Sequence, residues 1–318
     1  MNSRQLTAVT GAGGLVGGAL CRHFGRQHLA VRPLVRTLMP EMPEGTIATG
    51  DLVEMPDLAE ALAGVDCLVH CAARVHVMND TAEDPLSEFR LANTDTTRHL
   101  ATQAVAAGVK RMILISTVKV LGESTPLNHP FTHHSRPLPQ DPYAMSKLEA
   151  EVALQDVAES GGMEWVVIRP PLVYGPGVRA NLQRLIQLIG KGWPLPFGSI
   201  HNRRAMIGLD NLVSLIERCT MHPDASGQAF LASDDKDLST PGLIRNLADA
   251  MDMPAHLWPV PPAILKIAGH LTGRSHEISR LTGSLGIDLS ETQRRLAWSP
   301  PLSVTEGLRR CVQTDKFK

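Results

Sequence analysis

Short apolar runs alternate with amphipathic stretches through the first half of the chain. Residues 5–10, 29–35, 46–48, 67–71, 111–115 and 164–168 are brief and rich in Val, Ile and Leu. Gly, Pro or charged residues bound them, which predicts buried strands. Helical periodicity fills the gaps, most clearly over residues 91–107 and 142–159. Strands that alternate with helices imply βαβ units and a parallel sheet covered on both faces.

Beyond Arg169 the pattern loosens. Gly and Pro cluster over residues 170–177 and 190–198, with a predicted helix at 181–189 between them and another at 241–251. Residues 254–262 carry four prolines and read as an extended connector. The amphipathic stretch 262–271 follows; packing against the sheet domain is favoured for it over contact with a membrane. A boundary near Tyr174 divides the chain into a dinucleotide-binding part (1–174) and a mainly substrate-binding part (175–318), from which some segments return to the first.

Composition narrows the function. The 318 residues are 43% hydrophobic and 20% charged, an ordinary globular balance. A net charge of -1 and only 4% aromatics supply neither the basic stripe nor the stacking surface of a nucleic-acid binder. The five cysteines are dispersed and form no CxxC pair, which fits a reducing cytoplasm. No apolar run approaches a membrane span and no leader pattern opens the chain, so a cytoplasmic protein is expected. His129, His133 and His134 lie in a Pro-rich loop without metal-ligand spacing, and no metal is expected.

The first candidate chemistry is the run Thr10-Gly11-Ala12-Gly13-Gly14-Leu15-Val16-Gly17 between the first strand and the first helix. Residues without Cβ permit the tight turn, and the helix N-terminus offers free N–H groups to a pyrophosphate. The second strand then ends in Val35-Arg36 with no carboxylate to accept from a ribose 2′-hydroxyl. Arg36 therefore favours NADP(H) over NAD(H), unless it is a solvated surface arginine. Asp51 is placed either to bond an adenine amino group or to cap the next helix.

The second is Asp141-Pro142-Tyr143-Ala144-Met145-Ser146-Lys147. Asp as N-cap and Pro at the first helical position start a helix here, so Tyr143 and Lys147 share one face at i and i+4. An ammonium beside a phenol favours the phenolate and is expected to lower the tyrosine pKa. Ser116 and Thr117 end a buried strand on the side where open parallel sheets bind ligands. Both hydroxyls have the plainer alternative of bonding nearby backbone.

Together these residues resemble the extended short-chain dehydrogenase/reductase family, in particular its sugar-nucleotide epimerases, dehydratases and ketoreductases. The family's TGxxGxxG matches Thr10, Gly11, Gly14 and Gly17, and its Ser/Thr–Tyr–Lys triad matches Thr117, Tyr143 and Lys147. Residues 169–177 resemble RPxxVYGPG, residues 203–211 a diphosphate-contacting segment, and residues 296–300 the closing LGWxP. Leu121 departs from the family, standing where many members have the tyrosine of SSxxVYG.

The resemblance implies an α/β fold, a Rossmann-type doubly wound parallel sheet with a smaller mixed C-terminal substrate domain. It implies catalysis by Thr117, Tyr143 and Lys147. Cofactor contacts are expected from Gly11, Gly14, Leu15, Val16, Gly17, Arg36, Asp51, Leu52, Ala72, Ala73, Asn93, Tyr143 and Lys147. Asn181, Arg204 and Arg280 are expected to bind the UDP portion of a UDP-sugar, and the helices 91–107 and 142–159 to form a homodimer. The expected activity is NAD(P)H-dependent C4-ketoreduction of a UDP-4-keto-6-deoxy-N-acetylhexosamine in bacterial surface-polysaccharide synthesis. The alternatives are a UDP-hexose or UDP-N-acetylhexosamine 4-epimerase that retains NAD, and a non-enzymatic dinucleotide sensor.

Overall fold

The computed structural model describes residues 5–40, 42–75, 84–178 and 181–313, with Asn181 and His276 by backbone alone. Among the described residues nine strands are seen: β1 Thr7–Thr10, β2 Val31–Val35, β3 Ile47–Ala48, β4 Cys67–His70, β5 Arg111–Ile115, β6 Glu164–Arg169, β7 Leu172–Tyr174, β8 Met206–Gly208 and β9 Gln228–Leu231. Seven of them form one sheet in the order β3-β2-β1-β4-β5-β6-β9. Every pairing in it is parallel. The order reverses direction beside β1, which opens a crevice at the carboxyl ends of β1 and β4. The α/β, Rossmann-type expectation is borne out.

Alternation along each strand assigns its side chains to two faces. Val9, Val69 and Ile113 point to one core with Leu20 and Phe24 of the helix Leu15–Arg26 and Leu212 and Ile216 of the helix Leu209–Met221. Ala8, Leu68, Met112 and Leu114 point to the other, against Leu100 and Ala104 of Thr96–Ala106 and Ala150 and Leu154 of Pro142–Gly161. The expected helix over 91–107 starts earlier, at Pro85, where Asp84 caps it, and runs through a π-helical turn at Arg90–Asp95.

The second half builds its own core around Tyr174, Ile186, Met206, Ile244 and Leu308. Two elements absent from the sequence reading, β9 and the helix Leu209–Met221, belong instead to the large sheet and its cover. Leu121 is buried at the seam with Val118, Val120, Ala205 and Leu285, so the position of the family's tyrosine is filled by packing. The helix Pro262–Leu271 differs from expectation, since its chief packing partner is the next helix, Ser275–Thr282. Among the described residues no helix is long and apolar enough to cross a membrane.

Candidate active site

The glycine run turns the chain from β1 into the first helix under tight steric limits. Gly11 has φ 65°, and a Cβ there would lie 2.7 Å from the Ala72 amide nitrogen. A Cβ on Gly17 would collide with the Gly11 carbonyl oxygen. These glycines bring helix, turn and the loop after β4 into backbone contact. Gly14 is the helix N-cap and no side chain caps the first turn, so the Leu15 and Val16 end of the helix faces the crevice uncompensated. Ala72 stands opposite, its amide donating to Thr10 Oγ1 at 3.4 Å, and Ala73 continues the same loop.

Two further cofactor candidates, Arg36 and Asp51, meet each other. Arg36 Nη2 lies 3.4 Å from Asp51 Oδ2. Asp51 also accepts from the Val53 amide at 3.1 Å, capping the short 3-10 turn Leu52–Glu54. The capping alternative for Asp51 is therefore the one its side chain follows. The Arg36 side chain is 73% exposed and carries a paired rather than an uncompensated positive charge.

Asp141 caps the helix that carries the tyrosine and lysine, accepting from the Ala144 amide at 2.6 Å, with Pro142 at the first position. Its other oxygen accepts from Lys119 Nζ at 2.5 Å. Burial works to raise the Asp141 pKa, but the bonds from Lys119 and Ala144 outweigh it and leave it below the ordinary value. Lys119 stands two residues after Thr117, and Asp141 two before Tyr143. One ion pair thus ties the Thr117 turn to the start of the tyrosine helix.

The two strand-end hydroxyls divide the labour. Ser116 Oγ donates to Glu151 Oε1 at 2.5 Å, and Arg169 Nη2 holds the same carboxylate at 2.6 Å, so Ser116 serves the fold. Thr117 Oγ1 accepts weakly from the Lys119 amide at 3.3 Å, which leaves its O–H to donate elsewhere.

Asn93 is buried in the π-helical turn and spends its whole side chain on bracing. Its Oδ1 accepts from the Arg74 amide at 2.9 Å, and its Nδ2 donates to the Arg74 carbonyl at 3.1 Å and Ser146 Oγ at 2.9 Å. Ser146 lies between Tyr143 and Lys147, so Asn93 locks the loop after β4 to their helix. Asn93, an expected cofactor contact, has its side chain engaged by Arg74 and Ser146.

Neither the Tyr143 hydroxyl nor the Lys147 ammonium has a hydrogen-bond partner among the described residues. Tyr143 packs its ring edge-on against Phe89, centroids 6.0 Å apart. Burial raises its pKa and the Asp141 charge adds to the rise. The expected lowering by Lys147 does not appear: desolvation of the phenolate, with the Asp141 charge, sets the direction. Lys147 is fully buried, which pushes its pKa down to about 8 against the opposing charge of Glu151.

The sequence reading missed His70 at the end of β4. Thr10 Oγ1 lies 2.7 Å from His70 Nδ1. That hydroxyl also accepts from the Ala72 amide, so Thr10 ties the His70 ring to the loop after β4. Burial, with the nearby Lys147 charge, pushes the His70 pKa down to about 3 and keeps the ring neutral. Its Nε2 is buried without a partner. The signal in the sequence is a polar residue closing an otherwise apolar strand.

A Cβ-free cradle, an uncapped helix start, a fully buried unpaired ammonium and an orphaned imidazole nitrogen gather at one crevice. These residues fit a dinucleotide with an anionic bridge and a polar ribose.

The substrate candidates lie in the second half. Arg204 Nη1 donates to the Arg280 carbonyl at 2.8 Å, and burial followed by the Arg280 charge lowers the Arg204 pKa. Two guanidinium groups are thus brought close to each other. The side chain of Asn181 lies outside the described residues. The rest of segment 203–211 is structural: Met206–Gly208 is β8, and Asn211 donates to Asp234 at 2.6 Å and to the Leu302 carbonyl at 2.9 Å.

The profile described as "NAD dependent epimerase/dehydratase family" matches residues 7–231. The chain is 42% identical over 307 residues to a UDP-glucose 4-epimerase of Vibrio cholerae, covering 96% of this chain and 94% of that one. It is 25% identical to the N-acetyl-alpha-D-glucosaminyl-diphospho-ditrans,octacis-undecaprenol 4-epimerase of Escherichia coli O157:H7, with 83% and 82% covered. Among solved structures, UDP-glucuronic acid 4-epimerase from Bacillus cereus in complex with NAD superposes with a TM-score of 0.80 at 20% identity, over 98% and 99% of the chains.

Proposed function

This chain belongs to the NAD-dependent epimerase/dehydratase family, and from that premise we propose that it is a 4-epimerase of a UDP-hexose or UDP-N-acetylhexosamine that retains its NAD. The site carries hydride and proton chemistry on one observation: Tyr143, half-buried, and Lys147, fully buried, share a helix face at the crevice, their hydroxyl and ammonium unbonded among the described residues. The 4-epimerase reading draws its support from the Vibrio cholerae relative, which matches this chain nearly end to end. The pairing of Arg36 with Asp51 removes the uncompensated charge that favoured NADP(H) and net reduction.

A bound NAD would supply the acceptor and donor of the sugar C4 hydride. Tyr143 takes the C4 hydroxyl proton and returns it to that oxygen, while the Thr117 O–H donates to the same oxygen. Lys147 would hold the nicotinamide ribose, and its charge favours the ionisation of Tyr143 that burial opposes. Arg204 and Arg280 hold the diphosphate, with Asn181 beside them. Epimerisation needs a 4-keto sugar that turns over between two faces without leaving.

The purified protein, incubated with UDP-glucose or UDP-N-acetylglucosamine and no added cofactor, should form the C4 epimer with no lasting change at 340 nm. Consumption of NADPH with a UDP-4-keto-6-deoxy sugar, and no epimer from either hexose, would replace this reading by the ketoreductase. A homodimer through the helices carrying Leu91, Met145 and Val152, all of them exposed, and a reducing cytoplasmic setting complete the proposal.

A further inference from the structure

The helix Pro262–Leu271 is held by a narrow stripe. Leu265 and Gly269 are buried, and a Cβ on Gly269 would lie 2.8 Å from Ile278 Cγ1 of the following helix. Its apolar side chains are otherwise turned outward: Ile264 is 55%, Ile267 62% and Leu271 80% exposed. With Ala268 they stand at i, i+3, i+4 and i+7, one face of the helix. Before it in the chain, Leu195 and Leu257 pair in an isolated bridge, and the tryptophans that flank the bridge in sequence are both exposed, Trp193 (61%) and Trp258 (62%). Exposed apolar side chains of this size mark an interaction surface.

Charge says what covers it. Both stretches that build this side are free of carboxylates: the sequence has no Asp or Glu between Glu164 and Asp210, nor between Asp252 and Glu277. Lys191, Lys266 and Arg274 are exposed around the apolar face. A second copy would bring like charges together across a twofold contact. Tryptophans at the rim, an amphipathic helix lying flat and a border of cations suit the interface of a bilayer with anionic headgroups.

We propose that this face, made by Ile264, Ile267, Leu271, Trp193 and Trp258, docks the protein peripherally on an anionic lipid bilayer. Four prolines at 254, 259, 261 and 262 hold the segment in shape before it meets the lipid. The helix beneath carries Arg280, so docking sets the paired arginines one helix away from the headgroups. The docking surface does not depend on the epimerase reading.

Sedimentation of the full chain with vesicles of equal parts phosphatidylcholine and phosphatidylglycerol tests it, with phosphatidylcholine alone as the comparison. Binding to the anionic vesicles and little to the neutral ones is expected, with a blue shift of tryptophan emission that Trp258→Phe diminishes. Ile264→Ser, Ile267→Ser and Leu271→Ser together should weaken binding about tenfold or more. Lys266→Glu with Arg274→Glu should do the same without touching apolar packing. Unchanged NAD binding and melting temperature would show that each variant is folded. Wild-type protein that stays in the supernatant, or binding undiminished in both variants, would overturn the proposal. So would a triple-serine variant that loses only self-association in the ultracentrifuge.

Discussion

The chain has two tyrosines, and they stand at opposite extremes of hydrogen bonding. Tyr174 is fully buried and donates to Asp234 Oδ2 at 2.5 Å; the same carboxylate accepts from the Gly208 amide and from Asn211. Tyr143 has no such partner among the described residues. Burial raises both phenols, and in each case a nearby aspartate charge adds to it. Similar desolvation thus accompanies opposite uses. A satisfied phenol joins parts of a fold, whereas one left unsatisfied awaits a partner from outside.

Exchanging each hydroxyl for hydrogen should separate the two roles. Tyr143→Phe is expected to lower sugar interconversion by about 10²–10⁴-fold with NAD affinity and melting temperature nearly unchanged. Steady-state kinetics beside calorimetry would measure it, and retained turnover would take the proton transfer away from Tyr143. Tyr174→Phe should behave inversely. It strands one lone pair of a buried carboxylate, so urea melts should show a loss of about 1–3 kcal/mol while the rate per folded molecule holds.

Lys147 gives a pH test of the open site. The unfolded chain keeps that proton up to about 10.5 and the folded chain only up to about 8, so folding releases it in between. Its contribution to stability therefore rises with pH across that window, and the cost of burying the ammonium is fully present below it. The ammonium is the form that holds a ribose hydroxyl, so NAD affinity by titration calorimetry should fall as pH rises through about 8. Glu151→Gln should move that fall to lower pH. The smallest effect is expected at the tie between the Thr117 turn and the tyrosine helix. Asp141→Ala removes a cap worth about 1 kcal/mol, and a kcat loss with KM unchanged would show that the tie also aims Tyr143.

Local chemistry made much of this legible in the sequence. The Val, Ile and Leu runs of β1, β4 and β5 announce buried strands, and Asp141-Pro142 announces the helix that stacks Tyr143 on Lys147. What escaped depends on distant partners. β9 is a four-residue strand, Gln-Ala-Phe-Leu, with no periodicity to read and a place set only by β6. The bracing by Asn93 and the bond between His70 and Thr10 each join remote parts of the chain. The opposite shift of Tyr143 was missed because proximity to a cation is visible in the spacing, and depth of burial is not.

The place of β9 bears on how the molecule is made. One edge strand of the large sheet, β9, comes from the second half of the chain, so β6 has no neighbour on that side until residues 228–231 have been synthesised. A nascent or truncated chain ending near Tyr174 would display a parallel edge of Val and Ile to the cell, a template for misassembly. The two halves must therefore mature as one unit, and a break between them would yield aggregates instead of a free-standing nucleotide binder.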